Sequence, residues 1–142
     1  MSERYAIDTN IAIYGFLEEK KSAKANQLIR GGPSISVQLL NEFANVSIKK
    51  NIANGRNLDQ AIDDIIACVA SICPLTVEIN AEARRLHYRY QISIYDALML
   101  AAALADNCTT FYSEDMQHGL IVNDRLKIVN PFLESPYLES NV

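Results

Sequence analysis

The strongest constraint on this chain is an alternation: short runs of β-forming residues, each separated from the next by stretches with helical spacing. Residues 4–7 read as a buried strand, and Asn10 then opens a helical pattern through Ile11, Ile13, Tyr14 and Leu17. Lys20–Arg30 predicts a second helix, ended by Gly31-Gly32-Pro33. Ile35 and Val37 predict a short strand that runs into a helix over 37–50. Asn54-Gly55 breaks the chain, and Asn57 or Asp59 caps the next helix, where Ala61, Ile62, Ile65, Ile66, Val69 and Ala70 recur at helical spacing. Residues 73–77 read as extended, 80–90 as helical, and Ser93 begins the most apolar helix, over 93–106. Cys108–Tyr112 is rich in β-formers, and Lys127–Val129 is a weaker strand.

Strands separated by helices pair in parallel, because a parallel neighbour needs a crossover connection and the helix provides it. The expected fold is therefore α/β: a three-layer α/β/α sandwich around a short, mostly parallel central sheet. With 142 residues the chain forms one domain, 1–142, which closes on a polar, proline-marked tail over 131–142. The tail's near-duplication, Phe132-Leu133-Glu134-Ser135 against Tyr137-Leu138-Glu139-Ser140, is too short for a repeat architecture.

Four carboxylates stand in or beside these apolar segments, where an acid is costly unless something meets it. Asp8 closes Tyr5-Ala6-Ile7. Glu42 interrupts Leu39-Leu40-Asn41-Glu42-Phe43, Asp96 heads an Ala/Leu helix, and Asp115 follows Phe111-Tyr112-Ser113-Glu114. In open α/β sheets ligands bind beyond the carboxyl ends of the strands, which is where Asp8 and Asp115 should project. Each acid also has a plain structural use. Asp8 suits a helix cap, and Ser93-Ile94-Tyr95-Asp96 fits a capping box, a role compatible with a ligand in the same first turn. Glu42 lies roughly 90° from the middle of its helix's apolar face, a boundary position that suits either solvent or a cleft. Asp115 shares its loop with Glu114, and Ser113 suits a turn.

Other chemistries find little support. A net charge of −4 argues against a protein that coats nucleic acid, although it permits a nuclease with clustered acids. The basic residues (Lys20, Lys21, Lys24, Lys49, Lys50, Arg84, Arg85, Arg89) fit solvated helix faces as well as a phosphate backbone. His87 and His118 lack metal-ligand spacing, and there is no phosphate-cradling Gly-rich loop or nucleophile elbow. Cys68, Cys73 and Cys108 lie in apolar surroundings and predict buried, reduced thiols. Met1-Ser2-Glu3-Arg4 leads directly into a strand, and the Ala-rich run near 97–105 is too short to span a bilayer. The expectation is a cytoplasmic protein with no membrane segment.

Taken in order, the segments Ala6-Ile7-Asp8-Thr9-Asn10, Leu40-Asn41-Glu42-Phe43, Tyr95-Asp96-Ala97-Leu98 and Tyr112-Ser113-Glu114-Asp115 resemble the PIN domain. Within that family the chain resembles the VapC-type toxin ribonucleases of bacterial toxin–antitoxin pairs, over residues 4–130. The resemblance implies that Asp8, Glu42, Asp96 and Asp115 hold Mg²⁺ or Mn²⁺, with Thr9, Asn10 and Ser113 in support and Glu114 as the alternative to Asp115. It implies RNA as substrate, cleavage that leaves a 5′-phosphate, a homodimer, and a cognate antitoxin whose segment lies in a groove between helices. Ile11, Ile13, Tyr14, Ile48 and Ile52 are candidate groove or dimer contacts as well as core residues. The departure lies after the last acid, where the chain reads Asp115-Met116-Gln117-His118-Gly119 rather than a short acidic or aromatic stretch.

Chemically, crowded carboxylates raise one another's pKa, and a hard divalent cation relieves the repulsion. Such an ion lowers the pKa of bound water and orients it for in-line attack on a phosphodiester. Two other readings remain open. A receiver-like Mg-binding phosphoacceptor domain also gathers acids at strand ends, but it pairs them after the first strand, where this chain has Asp8 alone. A non-catalytic binding module would use its acids only as helix caps.

Overall fold

The structure is a computed structural model that describes residues 3–16, 22–50 and 57–133. The chain runs β1 (Tyr5–Ile7), α1 (Thr9–Phe16), α2 (Ser22–Arg30), β2 (Ser34–Ser36), α3 (Val37–Lys50), α4 (Leu58–Cys68) and β3 (Ser71–Cys73). It continues α5 (Val77–Tyr90), α6 (Ile94–Ala105), β4 (Thr110–Tyr112), β5 (Ile121–Val122) and β6 (Leu126–Val129). The strands form one sheet in the order β3-β2-β1-β4-β6-β5, parallel except for the β5–β6 pair. This is the expected α/β architecture.

The order of the strands dictates where a site can form. From β1 the chain steps outward to β2 and β3, then returns to place β4 on the other flank of β1. Right-handed crossovers that run in opposite directions put their helices on opposite faces of the sheet. Thus α1 to α4 serve the first direction, while α5 and α6 serve the return, with α6 lying against β2 and β3. The reversal falls between β1 and β4, paired through Tyr5↔Thr110, Ala6↔Phe111 and Ile7↔Tyr112. A crevice opens at the carboxyl ends of the strands at such a point, since the two connections leave in opposite directions.

The core follows from the apolar spacing. On one face Ile11, Ala12, Leu39, Phe43, Ala61 and Ile65 are buried, and on the other Ala83, Leu86, Ala97 and Leu100. The alanines of α6 (Ala97, Ala101, Ala102, Ala103) let that helix lie close against the strands, and Met99 Sδ accepts from the Ser36 hydroxyl. Ile11 and Ile13 are core residues, Tyr14 is half-buried and Ile48 is 68% exposed, so of the four only Ile48 presents a bare apolar side chain.

Several boundaries differ from expectation. Helix α1 starts at Thr9, one residue early, and α5 starts at Val77 because the Thr76 hydroxyl caps it by accepting from Ile79 N at 3.1 Å. Where the sequence reads as extended over 73–77, the strand lies at Ser71–Cys73 and pairs with β2 through Ser34↔Ser71 and Ser36↔Cys73. Strand β5 was not anticipated. Of the two possible caps for α4, Asn57 serves, accepting from Gln60 N at 2.7 Å. The thiols are also less uniform than expected. Cys108 is buried, Cys73 half-buried and Cys68, in the last turn of α4, exposed. The Lys20–Lys21 helix start, the Asn54-Gly55 break, Leu17, Ile52 and the tail beyond 133 lie outside the described residues.

Candidate active site

The four acids reach one end of the sheet by different routes. Asp8 is the residue after β1, and its backbone N–H still bonds Tyr112 O at 2.9 Å, so the strand geometry extends to it. Its side chain is 7% exposed. One carboxylate oxygen accepts from Thr9 N at 2.7 Å, and the other from the Ser113 hydroxyl at 2.8 Å. Ser113 is fully buried just past β4 and is itself fixed by Met116 N at 3.1 Å. The two central strands are therefore joined through the site itself.

Glu42 stands in the second turn of α3, at the boundary position that its helical angle implies. Thr9 Oγ1 donates to Glu42 Oε1 at 3.0 Å, and Gln38 Nε2, one turn earlier on α3, donates to Oε2 at 3.0 Å. Asp96 lies half-buried in the first turn of α6, below the cap formed when Ser93 Oγ accepts from Asp96 N at 3.1 Å. Asp115 is exposed and accepts a hydrogen bond from Asn10 Nδ2. Glu114 is drawn aside, accepting from the Tyr14 hydroxyl at 2.6 Å.

The electrostatics tie the set together. Burial pushes the Asp8 carboxyl up to about 6, against the lowering effect of its Ser113 and Thr9 hydrogen bonds, and the charges of Asp96 and Glu42 push the same way as burial. Asp96 is also raised, first by burial and then by Glu42, with a smaller push from Asp115 and an opposing bond from Ser93. Every charge named as acting on these two acids is negative. No salt bridge to any of the four acids occurs among the described residues.

As the side chains stand, no group of three His, Cys, Asp or Glu residues among the described residues converges closely enough to hold a metal ion. Each carboxylate is held apart by its own neutral donors. The chemistry of the set nevertheless suits a hard cation, being all oxygen, all anionic and partly desolvated. Asp8, Glu42, Asp96 and Asp115 are those the sequence singles out, and the charge of Asp115 acts on Asp96. Sequence reasoning did not bring Gln38 to the site, and it offered Tyr14 only as a groove, dimer or core residue. Gln38 had a visible signal, four residues before Glu42 on the same face of the helix. Tyr14 had none, because its partner lies 100 residues away.

The family model of the PIN domain matches residues 5–121, most of the chain. The chain belongs to the PIN domain family. Solved PIN-like structures share its fold. A toxin–antitoxin complex from Klebsiella pneumoniae is similar with a TM-score of 0.67 at 19% identity, covering 91% of this chain and 98% of that one. VapBC2 from Rickettsia felis, solved bound to a DNA fragment from its promoter, gives 0.65 at 19% identity, covering 89% and 98%. Mycobacterium tuberculosis VapC20, described as a Sarcin-Ricin loop cleaving toxin, gives 0.59 at 17% identity, covering 75% and 86%. A comparison with curated proteins found no match. Within this PIN domain, residues 5–121 take in all four acids and end just as β5 begins.

Proposed function

We propose that this PIN domain is a divalent-metal-dependent endoribonuclease, the toxin of a toxin–antitoxin pair. The reading rests above all on one observation. Four acids lie around the sheet's switch point, held apart by neutral donors and with no salt bridge among the described residues, and Asp8 is raised to about 6 by burial and by its neighbours' charge. Asp8, Glu42, Asp96 and Asp115 would hold Mg²⁺ or Mn²⁺, which when bound supplies charge neutralisation and an acidified water.

The chain's own residues perform the rest. Thr9 orients Asp8 through its backbone N–H and Glu42 through its hydroxyl, so one residue sets the relation between β1 and α3. Ser113 holds the second Asp8 oxygen, Gln38 the second Glu42 oxygen, and Asn10 holds Asp115. In the reaction a water oxygen bonds to phosphorus and the bond to the 3′ oxygen breaks. The water's proton ends on the leaving 3′ oxygen, giving a 3′-hydroxyl and a 5′-phosphate.

The fold shared with solved toxin–antitoxin complexes supports an antitoxin partner, and the proposal extends to a homodimer and a cytoplasmic location. Among the described residues no helix is long and apolar enough to cross a membrane. The receiver-like alternative loses ground, since Asp8 is the lone acid after β1 and β4 is followed by Ser113, Glu114 and Asp115 rather than lysine. A non-catalytic binding module predicts metal binding without cleavage.

The test is to incubate the protein and its Asp96→Asn variant with RNA in Mg²⁺, Mn²⁺ or chelator, and to map the ends. Metal-dependent cleavage with 5′-phosphate ends, lost in the variant, is expected. Cutting that survives both chelator and substitution refutes the mechanism.

A further inference from the structure

Beside the acids, a cleft of about 410 Å³ runs between α3 and the start of α6, lined by Gln38, Asn41, Glu42, Asn45, Tyr95 and Asp96. The proposed chemistry uses only the two acids and Gln38. Asn41 and Asn45 are one helical turn apart on α3, both exposed, and neither amide has a hydrogen-bond partner among the described residues. Across from them Tyr95 is 61% exposed, although it adjoins a half-buried acid at the start of an otherwise buried helix. An aromatic face and two free amides, each offering a donor and an acceptor, therefore border the proposed scissile position with no structural duty among the described residues.

We infer that this cleft is a base-reading subsite, in which an unpaired nucleobase next to the cleaved phosphate stacks on Tyr95 and is read by Asn41 and Asn45. This inference rests on the ribonuclease reading above and adds its specificity. Unstacked bases are recognised by aromatic stacking combined with hydrogen bonds to the base edge, and side-chain amides match the paired donor and acceptor of such an edge. The charge pattern agrees. The cleft's charged side chains are both negative, so a neutral base fits it where a second phosphate does not. Positive charge returns further along the same helix stripe, since Gln38, Glu42, Asn45 and Lys49 follow one another at helical spacing. Lys49 then lies about 10 Å beyond Glu42 along α3, where it would meet the backbone of a flanking nucleotide.

The experiment uses single-stranded RNA octamers that differ at one position, with binding read by fluorescence anisotropy in an Asp96→Asn background so that the RNA stays intact. Cleavage preference is mapped in parallel, in the otherwise wild-type protein, on a pool randomised at that position. Tyr95→Ala should weaken binding roughly 5- to 150-fold, the range for loss of one stacked base. Tyr95→Phe should restore most of that loss, and Asn41→Ala or Asn45→Ala should flatten the base preference. These exposed residues tolerate substitution, and unchanged far-UV circular dichroism confirms the fold. Equal affinity and unchanged preference across the variants, in a protein that still cuts RNA, overturns the subsite and leaves the nuclease standing. The same holds if Tyr95→Ala instead abolishes only capture of a co-expressed antitoxin, because the cleft would then be a protein site. Base-selective binding that depends on Tyr95, in a protein that cuts no RNA with either metal, supports the subsite and refutes the nuclease.

Discussion

Asp8→Asn is expected to stabilise the metal-free protein while removing its response to metal. The Asp8 carboxyl titrates near 6 in the folded chain against an ordinary 3.8. Between those values the native state holds more protons than the unfolded one, so this acid's contribution to stability is complete below about 3.8 and is lost as pH rises through 6. At about 1.4 kcal/mol per pH unit, the ionised side chain costs about 3 kcal/mol at pH 7.5. Asparagine removes that cost, but it leaves the buried Ser113 hydroxyl without the acceptor it now has at 2.8 Å. That loss is worth about 1 kcal/mol, so the net gain is about 2 kcal/mol, or about 4–8 °C in Tm. The assay is thermal or urea unfolding in chelator at pH 7.5 and pH 4.5, repeated with Mn²⁺ at pH 7.5. The advantage of the variant should shrink at pH 4.5, where the wild-type carboxyl is protonated, and Mn²⁺ should raise the wild-type Tm more than the variant's. A variant less stable than wild type in chelator, with a deficit that does not depend on pH, would show that Asp8 is a helix cap and not a strained site acid.

Other substitutions separate the supporting residues from the acids. Ser113→Ala removes the donor to Asp8 and the acceptor for Met116 N from a fully buried position, and should cost about 1–3 kcal/mol in urea unfolding. Thr9→Val deletes the hydroxyl that holds Glu42 but keeps the backbone bond to Asp8, so kcat/KM on RNA should fall about tenfold with little change in Tm. Gly31→Ala tests the scaffold, because a Cβ there would run into the Tyr5 hydroxyl, which donates to Leu28 O at 2.5 Å. A loss of about 1–2 kcal/mol in unfolding, with cleavage per folded molecule unchanged, is expected.

The parts of this fold that the sequence exposes are those set by local chemistry. Apolar triplets such as Tyr5-Ala6-Ile7 and Thr110-Phe111-Tyr112 sit between helical stretches, and caps such as Asn57 and Ser93 lie where their residue types predict. The misplacements have long-range causes. Residues 71–73 begin with a serine and look weak as a strand, yet pairing with β2 selects them over the β-branched Thr76 and Val77. In β5, two residues with one exposed and one buried are too few to show alternation, and only the antiparallel contact with β6 defines them. The site divides in the same way. Asp8 and Asp96 are placed by a strand end and a helix start, which are local. The Thr9–Glu42 and Ser113–Asp8 bonds join residues 33 and 105 apart, so no window of sequence contains them.

The opposite edge of the sheet shows what this fold does with an acid that has only a structural role. Asp106, just after α6, meets the Arg4 guanidinium at 2.9 Å, and the Ser71 hydroxyl shares the same carboxylate oxygen. The Arg4 guanidinium also reaches Ser71 Oγ at 2.9 Å and Ser34 Oγ at 3.4 Å, so one cation serves the amino ends of three strands. That pair is partly exposed, and its worth is modest, about 1 kcal/mol or less. The same strands thus end in two contrasting ways, an acid neutralised by a cation at one edge, and at the other Asp8, Glu42, Asp96 and Asp115 with no salt bridge among the described residues. If the acidic edge were only a set of helix caps, a nearby lysine or arginine would relieve its repulsion, as Arg4 does for Asp106. None is placed to do so among the described residues, and the neutral donors Thr9, Asn10, Gln38 and Ser113 orient the carboxylates without cancelling their charge. An edge that keeps its acids oriented and uncompensated bears a stability cost in the empty protein that a bound cation removes, which is why loss of Asp8 should make the metal-free chain firmer and the metal-loaded chain weaker.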